Sequence, residues 1–107
     1  MKNEMKLLFS AQNNNVVFAR TVAIGFLVKL NLDINTLNEI KTAISEAVTN
    51  SIVHGYLNDP SKMVEMMMMY DEKEIVIKVT DFGVGIEDIN KAKEPLYKTK
   101  VSEDRAG

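Results

Sequence analysis

Glu74-Ile75-Val76-Ile77-Lys78-Val79-Thr80-Asp81-Phe82-Gly83-Val84-Gly85 is the stretch that decides the fold, because a strand pattern runs straight into a carboxylate and two glycines. Side chains alternate faces along a strand, so Asp81 shares parity with Ile75, Ile77 and Val79 and points to the apolar side. A carboxylate in that position is costly unless a donor meets it, and an exocyclic base amine at the mouth of a pocket is such a donor. Gly83 and Gly85 remove side chains where a ring or a ribose needs close backbone approach, and they tolerate positive dihedrals. The same residues also fit a tight turn in which Asp81 accepts a hydrogen bond from its own loop.

Working outward, Met63 to Tyr70 is a second strand candidate, and the charged turn Asp71-Glu72-Lys73 joins it to Glu74–Thr80 as a hairpin. Asn58-Asp59-Pro60-Ser61 before it is turn chemistry. Further upstream, Thr36 and Glu39 have capping-box spacing for a helix whose core stripe is Leu37, Ile40, Ile44, Val48 and Ile52, with Gly55 as its stop. An earlier helix is expected from Asn15 to Leu30, largely buried, with Val22, Phe26 and Leu30 in one row and Ala19, Ala23 and Leu27 in the next. Glu4 to Ser10 reads as an edge-type strand in which Met5, Leu7 and Phe9 alternate with polar residues and Leu8 blurs the pattern. Downstream, Ile89 to Lys93 reads as a short helical turn and Pro95 to Gly107 as a loop. Met63 and Met66 to Met69 fit adaptable strand packing better than a soft-metal site.

At 107 residues the chain has the length of one domain, residues 1–107, with one core. It is 46% apolar and 26% charged, and its formal charge of −2 offers no basic surface, so nucleic acid is disfavoured as a partner. The absence of cysteine excludes a disulfide framework, a thiolate nucleophile and a zinc cluster, and the single histidine, His54, cannot build an imidazole metal site. A reducing cytoplasm is the expected compartment. Met1 to Phe9 carries Lys2, Glu4 and Lys6 among short apolar pieces, so neither a signal peptide nor a membrane span is expected there.

Residues four apart on a helix project from one face, so Glu46, Asn50 and His54 form a ladder, with Glu39 earlier on the same side. This row is expected on the shoulder of the core stripe, half-buried, where a carboxylate and an amide can be aimed at a ligand. On the ladder alone an ordinary solvated helix face is the better account, and His54 has an equal claim to being a satisfied helix-end histidine.

Taken together and in this order, Glu46-Ala47-Val48-Thr49-Asn50 and Asp81-Phe82-Gly83-Val84-Gly85 resemble the two boxes of the ATPase and kinase family that includes DNA gyrase and the histidine kinases. Within it the chain is most similar to the bacterial anti-sigma serine kinases. That narrower likeness is carried by Met1-Lys2-Asn3-Glu4-Met5, Phe18-Ala19-Arg20, Ser45 to Asn50 continuing through His54-Gly55-Tyr56, and Pro95-Leu96-Tyr97 leading to Thr99-Lys100.

The resemblance implies an α+β fold of the Bergerat type, a two-layer sandwich with helices on one face of a mixed, mainly antiparallel sheet. It implies ATP or ADP with Mg²⁺ as cofactors, Asn50 as the metal ligand and nucleotide contact, and Glu46 as the catalytic base or orienter for an attacking hydroxyl. Asp81 would hold the adenine amine, with Gly83 and Gly85 shaping that end. Thr99, Lys100, Arg105 and Gly107 would belong to the lid over the phosphates, where cations offset charge. The implied activity is that of a protein serine kinase that also binds a sporulation sigma factor, sigma F, and phosphorylates an anti-anti-sigma protein, as a homodimer. Arg20 is the expected partner contact, with a solvated arginine as the alternative.

The family's lid ends in a glycine pair followed by a phosphate-binding helix and closing strands, whereas this sequence ends at Arg105-Ala106-Gly107, so a chain lacking those elements is expected. Two other functions remain open on the residues: a histidine-kinase-like or ATP-hydrolysing module, and a catalytically dead fragment that keeps its binding surface.

Overall fold

The computed structural model describes residues 1–81 in full and residues 97–100 by their backbone. In chain order the elements are β1 (Asn3–Ser10), α1 (Asn15–Leu27), α2 (Ile34–Asn50), β2 (Met63–Tyr70), β3 (Glu74–Thr80) and β4 (Tyr97–Lys100). The strands form one sheet in the order β1-β2-β3-β4, and each of these pairings is antiparallel.

Register explains the core. Met66 stands between Leu7 and Val79, and Met68 between Met5 and Ile77, so the alternating apolar sets of three strands fall on one face. Val64, Met66, Met68, Ile75 and Ile77 are fully buried there, while Glu65, Met67 and Met69 look to the other side. Two of the clustered methionines are thus ordinary core, as packing on a pleated surface favours. Leu8 blurs the pattern of β1 because it faces away from the helices and stays exposed, and Met5 is exposed as well.

Both helices cover the apolar face, giving an α+β sandwich of two layers. α1 lays Ala19, Ala23 and Leu27 against the sheet, and α2 lays Ile40, Ile44, Val48 and Ile52. Each fully buried aliphatic side chain contributes about 1.5–3 kcal/mol of transfer free energy. Phe26 of α1 packs on Tyr70 of β2 with ring centroids 5.1 Å apart and planes tilted by 56°.

Four sequence expectations are corrected. The first helix ends at Leu27 and is followed by a 3-10 turn, Val28–Leu30, closed by Asn31 at φ 50°. Its outer side is not buried: Val17 and Phe18 are exposed, as is Val28 in the turn that follows. α2 starts earlier than the Thr36–Glu39 spacing indicates, because Asp33 is its N-cap and accepts a hydrogen bond from the Thr36 N–H at 2.7 Å. Finally, Tyr97–Lys100 lies in a segment read as loop but pairs with β3, Lys100 opposite Glu74 and Tyr97 opposite Ile77. The open hydrogen-bonding edge of β3 outweighs the weak apolar periodicity of that segment.

The hairpin turn is built as its residues suggest. Asp71 accepts backbone N–H bonds from Lys73 at 2.7 Å and Glu74 at 2.8 Å, which holds its carboxyl below the ordinary carboxylate range. At the other turn Asp59 accepts from the hydroxyl and backbone N–H of Ser61, and its carboxyl is likewise lowered. The amino terminus pairs with Glu72, tying the start of the chain to the hairpin.

Candidate functional site

α2 does not stop at Gly55 in the manner its sequence suggests. After Asn50 the helix widens into a π-turn, Ser51–Gly55, whose closing bond runs from the Tyr56 N–H to the Ser51 carbonyl at 2.9 Å. The left-handed residues that turn the chain away are Leu57 (φ 53°) and Asn58 (φ 59°), beyond the glycine. Buried Tyr56 anchors this exit by donating its hydroxyl hydrogen to the Met63 carbonyl at 2.7 Å, at the start of β2. Single π-turns inside helices are frequent at functional sites.

Gly55 has a different reason for being glycine: the Asp81 carboxylate lies against its bare Cα. A Cβ at position 55 would stand 2.7 Å from Asp81 Oδ1, 2.9 Å from Cγ and 3.0 Å from Oδ2. The tip of β3 and the end of the α2 extension therefore meet, with Asp81 of the second box lying against Gly55, five residues beyond Asn50. Asp81 is half-buried, on the parity of Ile75 and Ile77 as expected.

Glu46 and Asn50 are exposed, as are Glu39 and His54, so the expectation of a half-buried row is corrected. The reason is angular. At 3.6 residues per turn, Glu46 and Asn50 fall nearly opposite the Ile40, Ile44 and Val48 stripe. Glu46 and Asn50 share an open depression with Ser45 and Thr49, and a second polar groove continues from Glu46 through Ala43, Thr42 and Glu39 to Asn38 and Asn35.

Arg20 is half-buried on α1, and its Nη1 donates to the Ser45 hydroxyl at 3.3 Å. Ser45 in turn donates to the Lys41 carbonyl at 2.9 Å, and Arg20, Thr21, Ile24, Gly25 and Lys41 line a groove between the two helices. The backbone of Thr99 and Lys100 lies in β4 opposite Ile75 and Glu74. Gly83, Gly85, Arg105 and Gly107, and the helical turn read at Ile89 to Lys93, lie outside the described residues.

Sequence reasoning missed Gly55 and Ser45 as site neighbours. The glycine carried a signal, since it follows the ladder directly, but a helix stop explained it locally and the contact with Asp81 is a tertiary fact. For magnesium, the donors here are an exposed amide oxygen on Asn50 and a carboxylate four residues earlier. Among the described residues no cluster of three His, Cys, Asp or Glu gathers around one point. That donor set fits a hard cation that keeps most of its waters and takes further ligands from phosphates.

Among the described residues no helix is long and apolar enough to cross a membrane. The profile of the histidine kinase-like ATPase domain matches residues 9–107. Anti-sigma F factors align with the whole chain: that of Oceanobacillus iheyensis is 47% identical over 107 residues, which cover 73% of its own length. The Geobacillus kaustophilus protein is 45% identical with the same coverage, and that of Clostridium perfringens 47% identical with 76% of its length covered. With both boxes inside the matched span, and a two-layer fold that sets Asp81 against the end of the helix carrying Glu46 and Asn50, the chain belongs to the histidine kinase-like ATPase domain family, in the branch that holds the anti-sigma F factors.

Proposed function

We propose that this chain is an anti-sigma factor that binds ATP or ADP with Mg²⁺, holds sigma F, and transfers a phosphoryl group to a serine of an anti-anti-sigma protein. The observation that carries the nucleotide part is the contact of Asp81 with Gly55. Asp81 meets the helical extension at Gly55, five residues beyond Asn50, and Glu46 lies about 6 Å further back along the α2 axis. A nucleotide laid with its base at Asp81 and its phosphates toward Asn50 would present its terminal phosphate near Glu46.

The roles follow from the chemistry of each group. Asp81 accepts from the adenine 6-amine, with Gly83 and Gly85 shaping the same end. Asn50 offers its amide oxygen to the magnesium ion, which when bound neutralises phosphate charge. Glu46 orients the serine hydroxyl and receives its proton, in a reaction that asks chiefly for positioning and charge stabilisation. Thr99, Lys100, Arg105 and Gly107 serve the phosphate end, and Arg20 contacts the protein partner. The working state is a homodimer in the cytoplasm, without a nucleic-acid ligand of its own.

Holding sigma without phosphoryl transfer is a second reading, favoured by a separate observation: Val17 and Phe18 of α1, and Val28 of the turn after it, are exposed apolar residues that need no nucleotide chemistry. Incubation with labelled ATP, magnesium and the acceptor protein distinguishes them. Label on serine that disappears in Glu46→Ala is the expected result. Sigma binding with no label in either protein would leave only the holding role, and free phosphate without protein label would point to an ATP-hydrolysing module.

A further inference from the structure

We infer that Gly55 is a positioning residue for base recognition: its missing side chain is what seats the Asp81 carboxylate in the place from which it selects adenine. The inference rests on the nucleotide reading above and adds a residue and a specificity to it.

Three observations converge on Gly55. The contact distances of a Cβ at this position, 2.7 to 3.0 Å, are all to atoms of the Asp81 carboxylate. The backbone at Gly55 closes a π-turn rather than a left-handed helix cap, and the positive dihedrals belong to Leu57 and Asn58, so backbone freedom is not what the glycine supplies. Space is what it supplies. The exit is anchored by Tyr56, buried and bonded to the Met63 carbonyl, so sliding the helix end away to relieve the overlap would strain that bond.

The consequence is specific. Asp81 stands just beyond β3, with its carboxylate at the end of a rotatable side chain, so the inexpensive response to an added methyl is rotation of that carboxylate and not loss of the fold. A carboxylate is acceptor-only when ionised and selects bases that present an N–H₂ at the matching edge. Adenine has this donor, whereas hypoxanthine carries a carbonyl oxygen in its place. Rotating Asp81 therefore removes the preference for adenine while leaving phosphate and metal contacts at Asn50 intact.

The test is titration of ATP and ITP, each with magnesium, into the full chain, into Gly55→Ala, into Asp81→Ala and into the double variant. The wild type is expected to favour ATP over ITP by roughly tenfold to hundredfold, the range of one charge-assisted hydrogen bond. Gly55→Ala is expected to bring the ATP affinity down to that of ITP with ITP unchanged, and to add no further loss in the Asp81→Ala background. An unaltered ATP/ITP ratio in Gly55→Ala, or equal losses in both backgrounds, would overturn the role of Gly55 while leaving the site reading standing. A wild type that does not prefer ATP would overturn both. Should Gly55→Ala alone fail to fold, restoration of the fold by Asp81→Ala supports the steric pairing, and a double variant that also fails contradicts it.

Discussion

The Arg20 guanidinium on α1 donates to the Ser45 hydroxyl on α2, and Ser45 directly precedes Glu46. The residue assigned to partner contact is thereby tied to the helix that presents the candidate catalytic carboxylate. A partner that draws Arg20 away breaks one long hydrogen bond from a charged donor, worth about 1.5 kcal/mol, a small cost against a protein interface.

Arg20→Ala is therefore expected to weaken sigma binding at least tenfold while lowering unfolding stability by only about 1 kcal/mol. Ser45→Ala separates the two effects, since it removes the same hydrogen bond and keeps the guanidinium. Surface plasmon resonance against sigma F, beside urea unfolding, measures both; sigma affinity unchanged in Arg20→Ala would remove the partner role.

Asp33 caps α2 through the Thr36 N–H, and α2 carries both Glu46 and Asn50. Asp33→Ala is expected to cost about 1 kcal/mol of stability, measured as a lower urea midpoint with an unchanged slope. Because the cap lies at the opposite end of the helix from Asn50, nucleotide affinity is expected to stay within about twofold of wild type, in keeping with the additivity of distant sites.

Asp71 titrates below its ordinary range because the backbone N–H groups of Lys73 and Glu74 donate to its ionised form. A depressed folded-state value means stability that is fully present above the ordinary value of 3.8 and is lost as pH falls through the lower folded value. The β2–β3 turn is therefore expected to hold at neutral pH and to loosen in acid below that value. Asp71→Asn, whose amide oxygen can still accept but does not titrate, is expected to flatten this part of the acid dependence. Carboxyl-carbon NMR of Asp71 with the Lys73 and Glu74 amides followed in parallel reads it, and an Asp71 midpoint at or above the ordinary value would contradict the turn as described.

Asn50 is exposed on α2 and supports nothing in the core, so Asn50→Ala should leave the fold and its unfolding midpoint intact. Nucleotide affinity in the presence of magnesium is expected to fall, while affinity in EDTA stays as in wild type. Calorimetry with and without the metal gives both values, and a magnesium effect preserved in the variant would remove Asn50 as the metal ligand.

How far the chain could be read before its structure was known depended on whether a residue's reason was local. The Ile40, Ile44, Val48 and Ile52 stripe, the hairpin with Asp71 at its turn, and the parity that aims Asp81 at the apolar face were legible because helix and strand periods are properties of neighbouring residues. The start of α2 was misplaced because Thr36 has capping chemistry too, and only the fold shows that it sits buried inside the first turn. Spacing pairs Glu46 with Asn50 on one helix face, whereas their exposure follows from the angle between that face and the core stripe. β4 was not legible at all, since Tyr97–Lys100 acquires its conformation from the edge of β3 rather than from its own pattern. Gly55 shows the same limit at the site, where an ordinary helix stop masked a contact with a residue far along the chain.

Isothermal titration of ATP with magnesium into wild type and Asp81→Asn tests most directly whether the end of β3 and the end of α2 form one adenine-nucleotide site. An amide in place of the carboxylate keeps the size of the side chain and weakens the acceptor that faces the base. Saturable binding to the wild type, reduced tenfold or more in Asp81→Asn with the fold retained by circular dichroism, is the predicted result. Equal affinities in the two proteins, or no binding to the wild type, would contradict it.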